Sequence, residues 1–174
     1  MTQTSVPHGE LAVLVAVQSA LAGRPGVLAA ARAMSHFGEH SAGWVALSVL
    51  GAVLQPRRRR EWLIAAAGAF VAHAAAVLIK RVVRRQRPRD PAVVVNVGTP
   101  SALSFPSAHA TSTTAASMLT APLTGLPLPA LLVPPMALSR MILGVHYPSD
   151  VLTGVVVGAV VAKAVQKLSG AHDE

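Results

Sequence analysis

The stretch EWLIAAAGAFVAHAAAVLIK, from Glu61 to Lys80, decides the fold. It runs for 20 residues with charge only at its two ends and one titratable interior residue, His73. At a rise of about 1.5 Å per residue, such a helix matches a hydrocarbon core about 30 Å thick. The reading is a transmembrane helix, and the rest of the chain has to be compatible with a membrane bundle.

The composition agrees. Hydrophobic residues make up 52% of the 174 and charged residues 13%, with a mean hydropathy of +0.52. Soluble domains carry about 25% charged residues, which excludes an ordinary soluble domain. The length suits one helical bundle, a single domain over residues 1–174. Without cysteine there is no disulfide framework, thiol nucleophile or thiolate metal site.

Working outward, Ser41 to Leu54, His109 to Thr124, Leu126 to Gly144 and Ser149 to Leu168 are further apolar segments. With Glu61 to Lys80 they predict an all-α polytopic bundle of about five transmembrane helices. Pro134 and Pro135 are expected to kink the fourth span, which neighbouring helices tolerate. Gly154, Gly158 and Ala162 recur every four residues and should let helices approach closely. At the N-terminus, Leu11 to Ala22 and Val27 to Phe37 flank a Gly23-Arg24-Pro25-Gly26 break. Each is too short to span, so an interfacial helical hairpin is expected. Ala20-Leu21-Ala22 has the small-residue pattern of a signal-peptide cleavage site, but no Lys or Arg precedes it.

Charge orients the bundle. Arg57-Arg58-Arg59-Arg60 lies in a short loop between spans, and Lys163 and Lys167 end the last one. The positive-inside rule puts both on the cytoplasmic side, and five spans satisfy both. Lys80, the stretch Arg81 to Pro106, His109, His146 and Asp150 then share the outer face. Against this stand six cations between Lys80 and Arg89, which the rule would also draw inward. They are read as held outside by phosphate and lipid headgroups.

Three clusters carry the chemistry. Lys80 is followed seven residues on by Arg87-Pro88; Pro106-Ser107-Ala108-His109 opens a helix; Ser139-Arg140 precedes His146 and Asp150. They supply cations for an oxyanion, two histidines for covalent and acid/base work, and a carboxylate to orient a histidine. Each has a bland alternative. Arg84, Arg85 and Arg89 suit a juxtamembrane basic patch as well as a site. Ser107 is an expected N-cap, a role compatible with anion binding by the amides beside it. Arg140 stands in an apolar segment, where an unpaired charge is expensive, so it should face the interior with a partner. His36 and His40 read as interfacial and His73 as a packed polar residue. With no acidic cluster in the chain, no metal site and no cofactor are expected.

In this order and spacing the motifs K-x6-R-P, P-S-A-H and S-R-x5-H-x3-D resemble the signature of the type 2 phosphatidic acid phosphatases, relatives of vanadium haloperoxidases. The family's P-S-G-H carries Ala108 here in place of glycine, which implies an ordinary φ with the N–H still available. The resemblance implies that His146 attacks phosphorus, Asp150 holds its other ring nitrogen, and His109 serves as acid and then base. It implies that Lys80, Arg87, Ser107, Ala108 and Arg140 bind the phosphate. It also implies a multi-pass protein of a bacterial cell membrane, with lipid phosphate as substrate, membrane lipids as partners and no nucleic acid. Family members act on phosphatidic acid, phosphatidylglycerophosphate, polyprenyl pyrophosphates and sphingoid phosphates. So short a form, lacking large outer loops, favours a polyprenyl-linked substrate of cell-wall synthesis. A vanadate haloperoxidase is disfavoured by the membrane composition, and a silent lipid-binding scaffold by the intact motifs.

Overall fold

The computed structural model describes residues 8–170. Seven α-helices follow one another: α1 (Glu10–Leu21), α2 (Val27–Gly38), α3 (Ala42–Leu54), α4 (Arg59–Val83), α5 (Ala108–Thr124), α6 (Leu128–Ile142) and α7 (Pro148–Gly170). The five expected spans correspond to α3 through α7. Among the described residues three stretches are long and apolar enough to cross a membrane by themselves, Val27–Leu54, Pro56–Val83 and Pro148–Gly170. Helix α6 is shorter and continues unbroken across Pro134 and Pro135. Between α2 and α3 the axis breaks, because His40 (φ 51°) and Ser41 (φ 64°) both adopt the left-handed conformation.

The core is built from small side chains. Ala65, Ala69, Ala72 and Ala76 of α4 are each 0% exposed and form one stripe at three- and four-residue spacing. With so little side chain between them, backbones close up and dispersion contacts accumulate, as lipid-embedded helices require. Helix α5 is the axis of the bundle, packed by α4, α6 and α7. Its hydroxyls are satisfied locally: Thr111 donates to the Ser107 carbonyl at 2.8 Å, Thr114 to Ala110 at 2.8 Å and Thr120 to Ala116 at 2.7 Å. Thr113 Oγ1 accepts from the Trp44 indole at 3.0 Å. These bonds explain how a serine- and threonine-rich helix remains in the interior without polar atoms left facing apolar neighbours.

The outer faces are apolar. Val53 on α3, Phe70 and Leu78 on α4, and Leu152, Val156 and Val160 on α7 are all exposed. Charges gather at the two ends instead. At one end Arg58 donates to the Pro122 and Leu123 carbonyls and Arg60 to the Ser169 carbonyl, so the arginine loop meets the last turns of α5 and α7. At the other end lie Lys80, the start of α5, the end of α6 and the start of α7. The three motifs therefore share one level of the bundle, opposite Arg57–Arg60.

Helices α1 and α2 pack beside α6 at the motif end. Gln18 ties them there, donating to the Val94 carbonyl at 2.7 Å and the Ile142 carbonyl at 3.0 Å while accepting from the Val94 N–H. The loop from Arg84 to Ser107 doubles back on itself. Arg87 N–H donates to the Ala102 carbonyl and Ser104 N–H to the Arg85 carbonyl, a short antiparallel pairing around Gln86 and Leu103.

Gly158 marks the tightest approach of α7 to α5, since a Cβ there would collide with the Thr111 carbonyl. We expect Gly158→Leu to part these helices and to lower the thermal unfolding midpoint in detergent. The overpacking cost should be about 1–3 kcal/mol or more, because backbone cannot yield as a side chain does. An unchanged midpoint would contradict this packing.

Candidate active site

A cavity of about 360 Å³ opens at the motif end, with Lys80, Arg87, Ala108, His109, Arg140 and His146 in its wall. Ser107 and Asp150, both 0% exposed, stand behind that wall.

His146 lies in the turn between α6 and α7, just past Gly144, whose φ of 71° reverses the chain. Arg87 Nη1 is 3.2 Å from His146 Nε2. A guanidinium only donates, so Nε2 is the acceptor and the ring proton sits on Nδ1. Nδ1 faces Asp150 Oδ2 at 3.5 Å, within ion-pair reach but without an aligned hydrogen bond. In this tautomer the unprotonated nitrogen is Nε2, and its lone pair is engaged by Arg87 Nη1 at the cavity wall. Burial lowers the His146 pKa well below 6.5, and nearby Arg140, Arg87 and Lys80 push it the same way.

Asp150 is held from several sides. Its Oδ2 accepts the Tyr147 N–H at 2.8 Å and its Oδ1 accepts Arg85 Nη1 at 3.0 Å. Arg85 also bonds Glu10 of α1 at 2.6 Å and lies 4.2 Å over the Tyr147 ring. Glu10 in turn accepts the Ser149 N–H, capping the start of α7. Of the basic cluster left undecided by the sequence, Arg85 is thus tied to the histidine's carboxylate. Nothing local in the sequence links Glu10 to Ser149, and no signal there could have found it.

The cations around the cavity differ in how their donors are used. Arg87 donates Nε to the Ser101 carbonyl at 2.8 Å and Nη1 to the Val145 carbonyl at 2.7 Å, fixing its plane against the cavity. Burial lowers its pKa to about 10, against the pull of Asp150. Arg140, 2% exposed, donates Nη1 to Ser35 Oγ at 2.7 Å, and its buried Nε has no partner. Lys80 directs Nζ at the carbonyls of Leu103, Ser104 and Pro106, at 3.4, 2.8 and 2.6 Å. An ammonium has three donors, so Lys80 anchors the loop while its charge remains beside the cavity.

Ser107 caps α5, its Oγ accepting the Ala110 N–H at 3.4 Å. Its own N–H goes to the Asp150 carbonyl at 2.9 Å. That bond pins α5 to α7 and leaves the amides of Ala108 and His109 as the helix-end donors on the cavity side. Ala108 has no positive φ, so the residue replacing glycine fits without strain. His109 Nε2 is 2.9 Å from the Ser35 carbonyl. A carbonyl only accepts, so Nε2 carries the proton and Nδ1 is the nitrogen available for exchange. Ser35, which orients both His109 and Arg140, was not legible as a site residue.

This geometry joins a neutral imidazole, a second imidazole and two buried guanidinium groups around one cavity, parts that suit in-line phosphoryl transfer. The chain belongs to the PAP2 superfamily, whose pattern matches residues 61–172. It is 70% identical over 164 residues to the decaprenylphosphoryl-5-phosphoribose phosphatase of Mycobacterium tuberculosis, covering 94% of this chain and 93% of that one. It is 74% identical over 151 residues to the protein of the same name from Mycolicibacterium smegmatis, covering 87% and 84%. In fold it is similar to a transmembrane PAP2 type phosphatidylglycerolphosphate phosphatase from Bacillus subtilis, with a TM-score of 0.73 at 20% identity, covering 91% of this chain and 85% of that one. Aquifex aeolicus LpxE is similar too, at a TM-score of 0.66 and 20% identity, covering 96% and 99%.

Two outcomes follow from the site. Because the folded state keeps His146 neutral, stability is full above the unfolded histidine pKa of about 6.5 and falls as pH drops below it. The melting temperature of the wild type should therefore drop between pH 7 and 5.5 more than that of His146→Asn; equal drops would contradict the buried neutral ring. Second, Arg140→Lys keeps the charge but loses the fork, and kcat/KM for phosphate release should fall about 100-fold. A loss under threefold would remove Arg140 from the cradle.

Proposed function

We propose that this protein is an integral-membrane phosphatase that removes the 5-phosphate of decaprenylphosphoryl-5-phosphoribose through a phosphohistidine. What carries the reading is the position of His146 Nε2 beside Arg87, in one cavity with His109 and Arg140. The substrate is supported by the likeness to the mycobacterial phosphatases along 94% of the chain.

In the first step Arg87 turns from His146 Nε2 to the phosphate oxygens, and the freed Nε2 attacks phosphorus. The P–O bond to the ribose breaks, and His109, entering the step as an imidazolium, gives its Nδ1 proton to the departing ribose oxygen. Arg87, Arg140 and the amides of Ala108 and His109 take up the charge of the equatorial oxygens, with the Lys80 charge behind them. Asp150 stabilises the positive ring that forms. In the second step His109 draws a proton from water, the water oxygen bonds phosphorus, and the N–P bond breaks to release inorganic phosphate. Nucleophile, acid and charge stabilisers all come from the chain, so the reaction as written uses no metal.

The cavity is read as facing the outer side of a bacterial cell membrane. Supporting this, Arg57–Arg60 and the end of α7 with Lys163 and Lys167 lie at the opposite end of the bundle. In this cysteine-free chain, single cysteines at Val95 and Arg57 are expected to label from outside and inside, respectively, in sealed cells. Labelling of Arg57→Cys from outside would reverse the orientation.

The activity test is phosphate release by purified protein from a panel of lipid phosphates in detergent with EDTA. The phosphoribosyl lipid should be the best substrate, turnover should survive chelation, vanadate should inhibit as a transition-state mimic, and His146→Ala should be inactive. Turnover abolished by EDTA and restored by Mg²⁺ would refute the histidine mechanism. A distinctly better substrate without ribose would refute the substrate.

A further inference from the structure

The wall of the cavity away from Arg87 is made by the end of α2 and the break after it. Gly38 packs so closely on His109 that a Cβ there would approach its Cδ2 to 2.7 Å. Glu39 and His40 follow directly, and both line the cavity together with His73 of α4. The His40 and His73 rings lie 5.8 Å apart between centroids. Three features of this wall have no role in phosphoryl transfer. His73 carries a buried Nδ1 without a partner in the midst of an apolar helix. His40 and Ser41 both adopt left-handed backbone, where non-glycine residues are uncommon and strain collects at ligand sites. Glu39 presents a half-exposed carboxylate, 3.9 Å from His36 Nδ1.

His109 is the neighbour that ties this wall to the chemistry. The group that takes its proton is the leaving oxygen, and Glu39, His40 and His73 line the same cavity as His109, so the atoms beyond that oxygen meet these side chains within it. We infer that Glu39, His40 and His73 form a subsite for the hydroxyls of a polyol leaving group, a sugar ring bonded to the scissile phosphate. A carboxylate accepts two hydroxyls of a vicinal diol at once, and an imidazole nitrogen accepts or donates one more. The subsite rests on the proposed function for the identity of the sugar, but its chemistry is that of any hydroxyl-bearing leaving group. It also gives His73, costly in a bilayer-spanning helix, a reason to be there.

The test is a ratio of substrates in the full-length protein. Phosphate release from the polyprenyl phosphoribosyl lipid is compared with release from a polyprenyl monophosphate that has no sugar hydroxyl, in wild type, Glu39→Gln and His73→Phe. Each variant should lower the ratio of kcat/KM values about tenfold or more, chiefly through KM, because an unmatched polar pair is lost only with the sugar. Independently of any variant, wild type should show a similar loss on a 2,3-dideoxyribosyl analogue. Equal losses on both substrates, an unchanged ratio, or full activity on the dideoxy analogue would each overturn the subsite. Failure of wild type on the phosphoribosyl lipid itself would instead overturn the proposed function. In that event phosphatidylglycerophosphate, whose leaving glycerol carries a free hydroxyl, and phosphatidate, whose leaving diacylglycerol carries none, decide the subsite with the same variants.

Discussion

Lys80 Nζ and the three carbonyls it holds, from Leu103, Ser104 and Pro106, are the hinge on which the site depends. They fasten the return of the long loop to the end of α4, directly before Ser107 starts α5. With that return fixed, Arg87 pairs with Ala102 and reaches Val145 and His146, and Ser107 N–H reaches the Asp150 carbonyl. A buried ammonium is costly unless its donors are all taken, and here carbonyls that would otherwise face a dry interior take them. One interaction thereby satisfies four polar groups and sets the register between α4, α5 and the α6–α7 turn.

Around this point the site concentrates charge that the fold would be more stable without. Arg140 has a neutral partner in Ser35, and its Nε has none. His146 is kept neutral by burial among cations. Such incomplete satisfaction is the state a phosphate would relieve, and the bundle offsets its cost elsewhere through close packing of alanine and glycine. The opposite end shows the contrast: its arginines cap the carbonyl ends of α5 and α7 and face outward, where hydration limits both their cost and their worth.

Much of this was legible in the chain because its signals are local. Twenty residues ending at Lys80, charged only at their two ends, announce a helix of membrane length, and the four-residue spacing of Gly154, Gly158 and Ala162 announces the face α7 turns to α5. His146 and Asp150, four apart at a helix start, were readable as a pair, and Ser107 as a cap. Contacts made across the fold were not. Glu10 meets Arg85 and Ser149 only after α1 has folded onto the motif end. Ser35 becomes a partner of His109 and Arg140 only through the approach of α2. The three backbone carbonyls that take the donors of Lys80 lie more than twenty residues on, and no sequence pattern encodes that contact. His36, His40 and His73 read as unconnected residues, because the break at His40 and Ser41 that brings them to one cavity arises from tertiary packing and not from a glycine.

The most direct measurement is to trap the intermediate. Purified wild type mixed with a substrate carrying radiolabelled phosphate and quenched in base within the first turnover should hold label in an acid-labile, base-stable N–P bond. Peptide mapping should assign that label to His146. Label on any other side chain would contradict the account, and so would steady turnover through which no phosphoenzyme is detectable at any quench time.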